Sequence, residues 1–149
     1  MAAVLAVTGC ASRRPATSPQ TWSGRLSMQV RSDPPQAFSA AFELSGSPQQ
    51  GLLQLISPLG TSLASARWSP DEAVLRSGSD ARLYRSMEEL LVQATGAALP
   101  LAALFDWLAG IPSVADGWQA DLSGRAEGRL RARRLTAPAA DLRIVLHTP

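Results

Sequence analysis

The residues able to do covalent or acid–base chemistry are few and scattered. The chain has one cysteine, Cys10, and one histidine, His147, near opposite ends of 149 residues. All fourteen basic residues are arginine, so there is no lysine for Schiff-base chemistry. One histidine and one cysteine so far apart argue against a metal centre. Glu88 and Glu89 are adjacent, so on a helix they point in different directions and make a poor acid/base pair. Asp106 falls opposite an apolar helical stripe. Gly-x-Ser-x-Gly, the phosphate-binding loop and His-Glu-x-x-His are all missing. Nothing here asks for an enzyme, a cofactor or a metal.

What remains is apolar chemistry. Two apolar runs, Leu52 to Ile56 and Leu63 to Ala66, flank Ser57-Pro58-Leu59-Gly60. Proline and glycine on either side of one residue predict a tight turn between paired strands. Such tips face water and are normally polar. Leu59 therefore either tucks back onto its own protein or reaches for something apolar, a membrane or an acyl chain.

The elements that must position these residues are mostly strands. Trp22, Gly24, Leu26, Met28 and Val30 alternate with polar residues, and so do Phe38, Ala40, Phe42 and Leu44. Leu52 to Ile56, Thr61 to Trp68, Glu72 to Arg76 and Ala81 to Tyr84 follow as short strands. Their short turns predict an antiparallel meander. Ser86 and Glu89 fit a capping box for a helix stopped by Gly96. Pro100 suits the first position of a second helix, with a stripe of Leu101, Leu104, Phe105 and Leu108 and Trp107 beside it. Three late strands follow. Arg129, Arg131 and Arg133 share one face of theirs, as a solvated surface or a site for anionic lipid or an acidic partner. Two short helices between strands can cover one apolar face of the sheet.

Composition sets the class. At 149 residues, 46% hydrophobic and 17% charged, the chain is long enough for one packed domain and is neither disordered nor strongly charged. A net charge of +2, without aromatics interleaved in a basic patch, does not indicate nucleic-acid binding. The N-terminus is apolar through Val7 and reaches Val7-Thr8-Gly9-Cys10. It resembles the end of a bacterial lipoprotein signal peptide, in which Cys10 is the acylated residue; a buried strand with an incidental cysteine is the alternative. A basic leader is missing and the apolar run is short. Ala11 to Pro19 is small, polar and proline-containing, and reads as a tether.

Taken together, the chain resembles the LolB family of outer-membrane lipoprotein receptors. The residues carrying the resemblance are Val7 to Cys10, Trp22-Ser23-Gly24-Arg25-Leu26-Ser27, Leu55-Ile56-Ser57-Pro58-Leu59-Gly60, Leu99-Pro100-Leu101 and Trp107-Leu108-Ala109-Gly110-Ile111-Pro112. The resemblance implies an α+β fold: an open, curved antiparallel β-sheet, a half-barrel, with short helices covering the concave face. It implies residues 1–9 as signal peptide, 10–20 as lipidated tether and 21–149 as a single acyl-chain-binding domain. It also implies a lipid-anchored monomer on the periplasmic face of the outer membrane, one that accepts lipoproteins from a LolA-like periplasmic carrier and inserts them into outer-membrane lipid. Pro58, Leu59 and Gly60 become the membrane-insertion loop. Trp22, Leu26, Met28, Phe38, Phe42, Leu53, Leu55, Leu104, Phe105, Trp107 and Leu108 become the acyl-chain cavity, under movable helices. For this family the region from Ile111 to Pro149 is short, so compressed late strands are expected. The alternative is a structural or envelope-assembly lipoprotein with a filled core.

Overall fold

The computed structural model describes residues 20–147. The signal segment, Cys10 and the tether up to residue 19 lie outside the described residues. Nine strands form one sheet: β1 Gln20–Val30, β2 Gln36–Gly46, β3 Gly51–Ile56, β4 Ser62–Trp68, β5 Ala73–Ser77, β6 Asp80–Tyr84, β7 Trp118–Asp121, β8 Arg129–Arg134 and β9 Ala140–Leu146. Between β6 and β7 lie two short helices, α1 Met87–Thr95 and α2 Leu101–Leu108.

The strand order is β6-β5-β4-β3-β2-β1-β9-β8-β7, and every neighbouring pair is antiparallel. Hairpins account for all pairs except β1–β9, where the late strands return to the first one. That pairing runs from Gly24↔Leu146 to Val30↔Ala140. The compressed late region therefore still builds three strands and joins them to the sheet. The two outermost strands, β6 and β7, do not pair with each other, so the sheet is open.

Period-2 alternation sorts the faces. Along β1 and β2 the inward Met28, Val30, Phe42 and Leu44 are buried, while Arg25, Gln29 and Glu43 face water. Strand β9 repeats this with Leu142, Ile144 and Leu146 inside and Arg143 outside. The inward face is continuous across the sheet, and both helices cover it. Helix α1 starts at Ser86, whose hydroxyl accepts from the Glu89 N–H at 3.1 Å. Glu89 reaches back one residue past the cap, to the Arg85 N–H at 2.8 Å. Helix α2 begins one position later than the sequence suggests. Pro100 is its N-cap with extended backbone, and its carbonyl accepts the first helical bond from Leu104.

Candidate functional site

The turn after β3 is held by its own hydrogen bonds. Ser57 N–H donates to Thr61 O and Gly60 N–H to Ser57 O, both at 2.9 Å, and the Ser57 hydroxyl accepts from Thr61 N–H. Pro58 occupies the second turn position, where its fixed φ fits. Gly60 has φ +83°, a conformation costly for a residue with a Cβ. The turn is thus fixed by Ser57, Pro58 and Gly60, and Leu59 has no structural duty in it. It does not tuck back: 94% of its surface is exposed. Its side chain therefore stands clear of the rest of the described protein.

Beneath the helices, the inner face of the sheet does not close completely on them. A cavity of about 260 Å³ remains, walled almost wholly by carbon. Of the cavity residues named from sequence, Leu26, Met28, Phe38, Phe42, Leu53 and Leu55 line it from the sheet, and Leu104 and Leu108 from α2. Trp22, Phe105 and Trp107 do not. Phe105 is clamped edge-on between Trp22 at 5.5 Å and Trp68 at 6.3 Å. Trp107 is fully buried against Trp118, and its indole N–H donates to Ser113 O at 2.9 Å. Trp118 in turn donates to Ala98 O at 3.0 Å. These rings spend their area fastening α2 to the sheet, because a large aromatic with a polar edge needs partners on several sides. Their contacts thus tie α2 to β1, β4 and β7.

Helix α1 forms the other wall, through Met87, Leu90, Leu91 and Ala94. The capping box and Gly96 put these residues on one helix, but local sequence does not show that it faces a cavity. Leu142 and Ile144 of β9 also line the cavity; their alternation was legible, but not that β9 sits beside β1. The most open of the lining residues are Phe38, 40% exposed, and Ala94; the others are buried or half-buried. The mouth lies between β2 and the C-terminal half of α1.

The mouth and Leu59 are at the same end of the sheet. Strands β1, β3, β5 and β8 run parallel to one another and end there, as alternation in an antiparallel sheet requires. Phe38 is near the start of β2, which is at that end, and Gln36 beside it approaches Gly96 at the end of α1. No group of three or more His, Cys, Asp or Glu side chains suited to a metal occurs among the described residues. No described helix is long and apolar enough to cross a membrane.

A family model described as "Outer membrane lipoprotein LolB" matches residues 19–139. The chain belongs to the LolB family. Two curated relatives carry the name "Outer-membrane lipoprotein LolB". One, from Cupriavidus pinatubonensis, is 31% identical over 140 residues, covering 87% of this chain and 67% of the relative. The other, from Cupriavidus metallidurans, is 31% identical over 112 residues, covering 74% of this chain and 54% of the relative. The chain therefore spans between about half and two thirds of the length of these LolB proteins. The family match covers the turn of Leu59 and every strand and helix that walls the cavity except β9, whose Leu142 and Ile144 lie beyond it.

Proposed function

We propose that this chain is an outer-membrane lipoprotein receptor that takes acylated lipoproteins from a LolA-like periplasmic carrier and passes them to the membrane. The observation that carries the reading is the unfilled apolar cavity, open at the end of the sheet that presents Leu59. A filled core, as a purely structural lipoprotein would have, leaves no such space. Family membership and the names of the relatives support the same reading.

Each methylene taken from water is worth about 0.8 kcal/mol, so an acyl chain partitions into such a cavity without any directional contact. That lets one receptor serve many cargoes. The volume exceeds the roughly 150 Å³ that holds a benzene-sized guest, and falls just below the range of about 300–1,000 Å³ for drug-sized ligands. It accommodates a segment of one chain. Taking up more requires a wall to yield, and α1 is the wall not held by the aromatic clamp. Transfer needs no nucleotide when the cargo binds the receptor more tightly than the carrier and the bilayer more tightly still. Cys10 would hold the protein at the membrane by its acyl chains, and Leu59 would enter the bilayer surface at the point of release.

The test uses the chain with Cys10→Ala, which removes the anchor. Mixed with lipoprotein-loaded carrier, it is expected to take the cargo, as read by pull-down. Leu59→Glu is expected to accept cargo equally well but to release it into added liposomes many-fold more slowly. Cargo that stays on the carrier in the presence of folded Cys10→Ala protein would sink the receptor reading.

A further inference from the structure

We infer that the sheet docks on lipid by two limbs, with Val114 and Leu135 forming a second membrane contact opposite Leu59. This rests on the receptor reading above and extends it. Val114 is 96% exposed and Leu135 67% exposed. Leu135 follows the end of β8, and Val114 precedes the start of β7. The Leu135 N–H donates to Gly117 O at 2.8 Å and Ala115 bridges to Trp118, which brings the two segments together. Because β8 runs parallel to β3 and β7 runs against β8, both segments lie at the end of the sheet that carries Leu59.

The register staggers the two limbs along a rim that crosses the strands obliquely. Ile56, Ala41, Arg25, Val145 and Arg129 form one row across β3-β2-β1-β9-β8. Strand β3 ends in this row, whereas β8 begins in it. That stagger is a shear of the whole sheet, since the opposite end is offset in the same sense: β3 starts at Gly51, well before the row. Sheared strands tilt about 35–45° from a barrel axis, and the tilt cancels the offset. The tips after β3 and β8 thus share a rim, about 19 Å apart across the strands at ~4.8 Å per strand and roughly 25 Å apart along the rim once the five-residue stagger at ~3.3 Å per residue is included. The cavity mouth opens at the same rim.

The two ends differ in the manner a lipid surface demands. The turns joining strands at the opposite end carry no large exposed apolar side chain; the exposed Leu83 and Val145 there lie within β6 and β9 and not at a tip, and Ile111 beyond α2 is half exposed. That end holds the exposed acids Asp71, Glu72, Glu88, Glu89, Asp121 and Glu127 against Arg67, Arg85, Arg125 and Arg129. At the rim of Leu59, Asp33, Asp80 and Asp116 are balanced by Arg31, Arg76 and Arg134. An anionic bilayer repels the first end and tolerates the second, while three apolar tips enter its interface.

Cys10 is the only cysteine, so the Cys10→Ala chain accepts single labels. Leu59→Cys, Val114→Cys, Leu135→Cys and Asp71→Cys would each carry a polarity-sensitive fluorophore. Vesicles of equal parts phosphatidylethanolamine and phosphatidylglycerol are then added. The expected result is a blue shift at 59, 114 and 135 and none at 71. A shift at 59 alone overturns the second contact and leaves the receptor reading standing. A shift at 114 and 135 with the carrier protein but not with vesicles also overturns it, and makes the patch a protein-docking surface. No shift at any position removes the insertion role of Leu59 and this proposal with it. In a second arm, Val114→Asp with Leu135→Asp is expected to slow release into vesicles several-fold with uptake from the carrier unchanged; unchanged release overturns the proposal.

Discussion

Asp141 shows how a single residue organises the outer face of the late strands. It accepts two hydrogen bonds from Arg131, at 3.0 and 2.8 Å, while Arg133 and Arg143 lie at 3.7 and 3.8 Å. The bonds from Arg131, reinforced by the charge of all three arginines, hold its carboxyl below the usual carboxylate range. A carboxylate with a lowered folded value stabilises the fold above its unfolded value of about 3.9, and that contribution is lost as pH falls through the folded value. Asp141→Asn is therefore expected to lower stability at neutral pH by about 1 kcal/mol or less, since the site is partly solvated. Denaturant titrations at neutral and strongly acid pH check this: the gap between variant and parent must narrow in acid, and a gap that persists would assign it to packing. The alternation of Arg129, Arg131 and Arg133 was legible in the sequence as one face. Their counter-ion was not, because only the β8–β9 register, with Arg133 opposite Asp141, brings it there. Leu59 was legible as an anomaly at a turn tip, but its exposure depends on what lies beneath the turn, and local sequence does not say.

Elements that announce themselves by local rules were read correctly, and contacts between them were not. Ser86, Glu89 and Gly96 bound α1 where the capping pattern puts them. Ser86→Ala removes the acceptor for the Glu89 N–H and is expected to cost about 1 kcal/mol, measured as a shift in denaturant midpoint. As α1 walls the cavity, the same change should raise uptake of a hydrophobic dye; unaltered uptake would mean that α1 does not gate entry. The aromatic clamp on α2 escaped the sequence because Trp22, Trp68, Phe105 and Trp118 come from four separate elements. Gly24 likewise reads in the sequence as a pause within a strand. In the structure a Cβ there would collide with the backbone of Val145 and Leu146, so β1 and β9 approach only because it has none. Gly24→Ala must part the β1–β9 pair, the junction that joins the late strands to the rest. It is expected to destabilise far more than the roughly 1 kcal/mol of an average substitution, read as a large loss of soluble folded protein.

At the scale of the whole molecule, the described chain enters the sheet at the end away from Leu59. Strand β1 begins at Gln20, paired with Gly46 at the end away from Leu59, and runs 11 residues toward the rim. At ~3.3 Å per residue that is about 36 Å of strand. From Cys10 to Gln20 the chain has ten steps, which reach at most about 36 Å when fully extended. With Cys10 acylated, as proposed, the rim can touch the membrane that holds the anchor only if the tether uses nearly its full reach alongside the sheet. Removing residues 12–16 is then expected to abolish delivery of cargo into the vesicle that carries the lipidated protein. Delivery into a separate acceptor vesicle should stay intact, because the cavity, Leu59 and the rim are unchanged. Proteoliposomes with distinguishable donor and acceptor lipids separate the two routes. Equal delivery into the carrying vesicle before and after the deletion would show that the rim reaches its own membrane by some other path, and that the tether is no ruler.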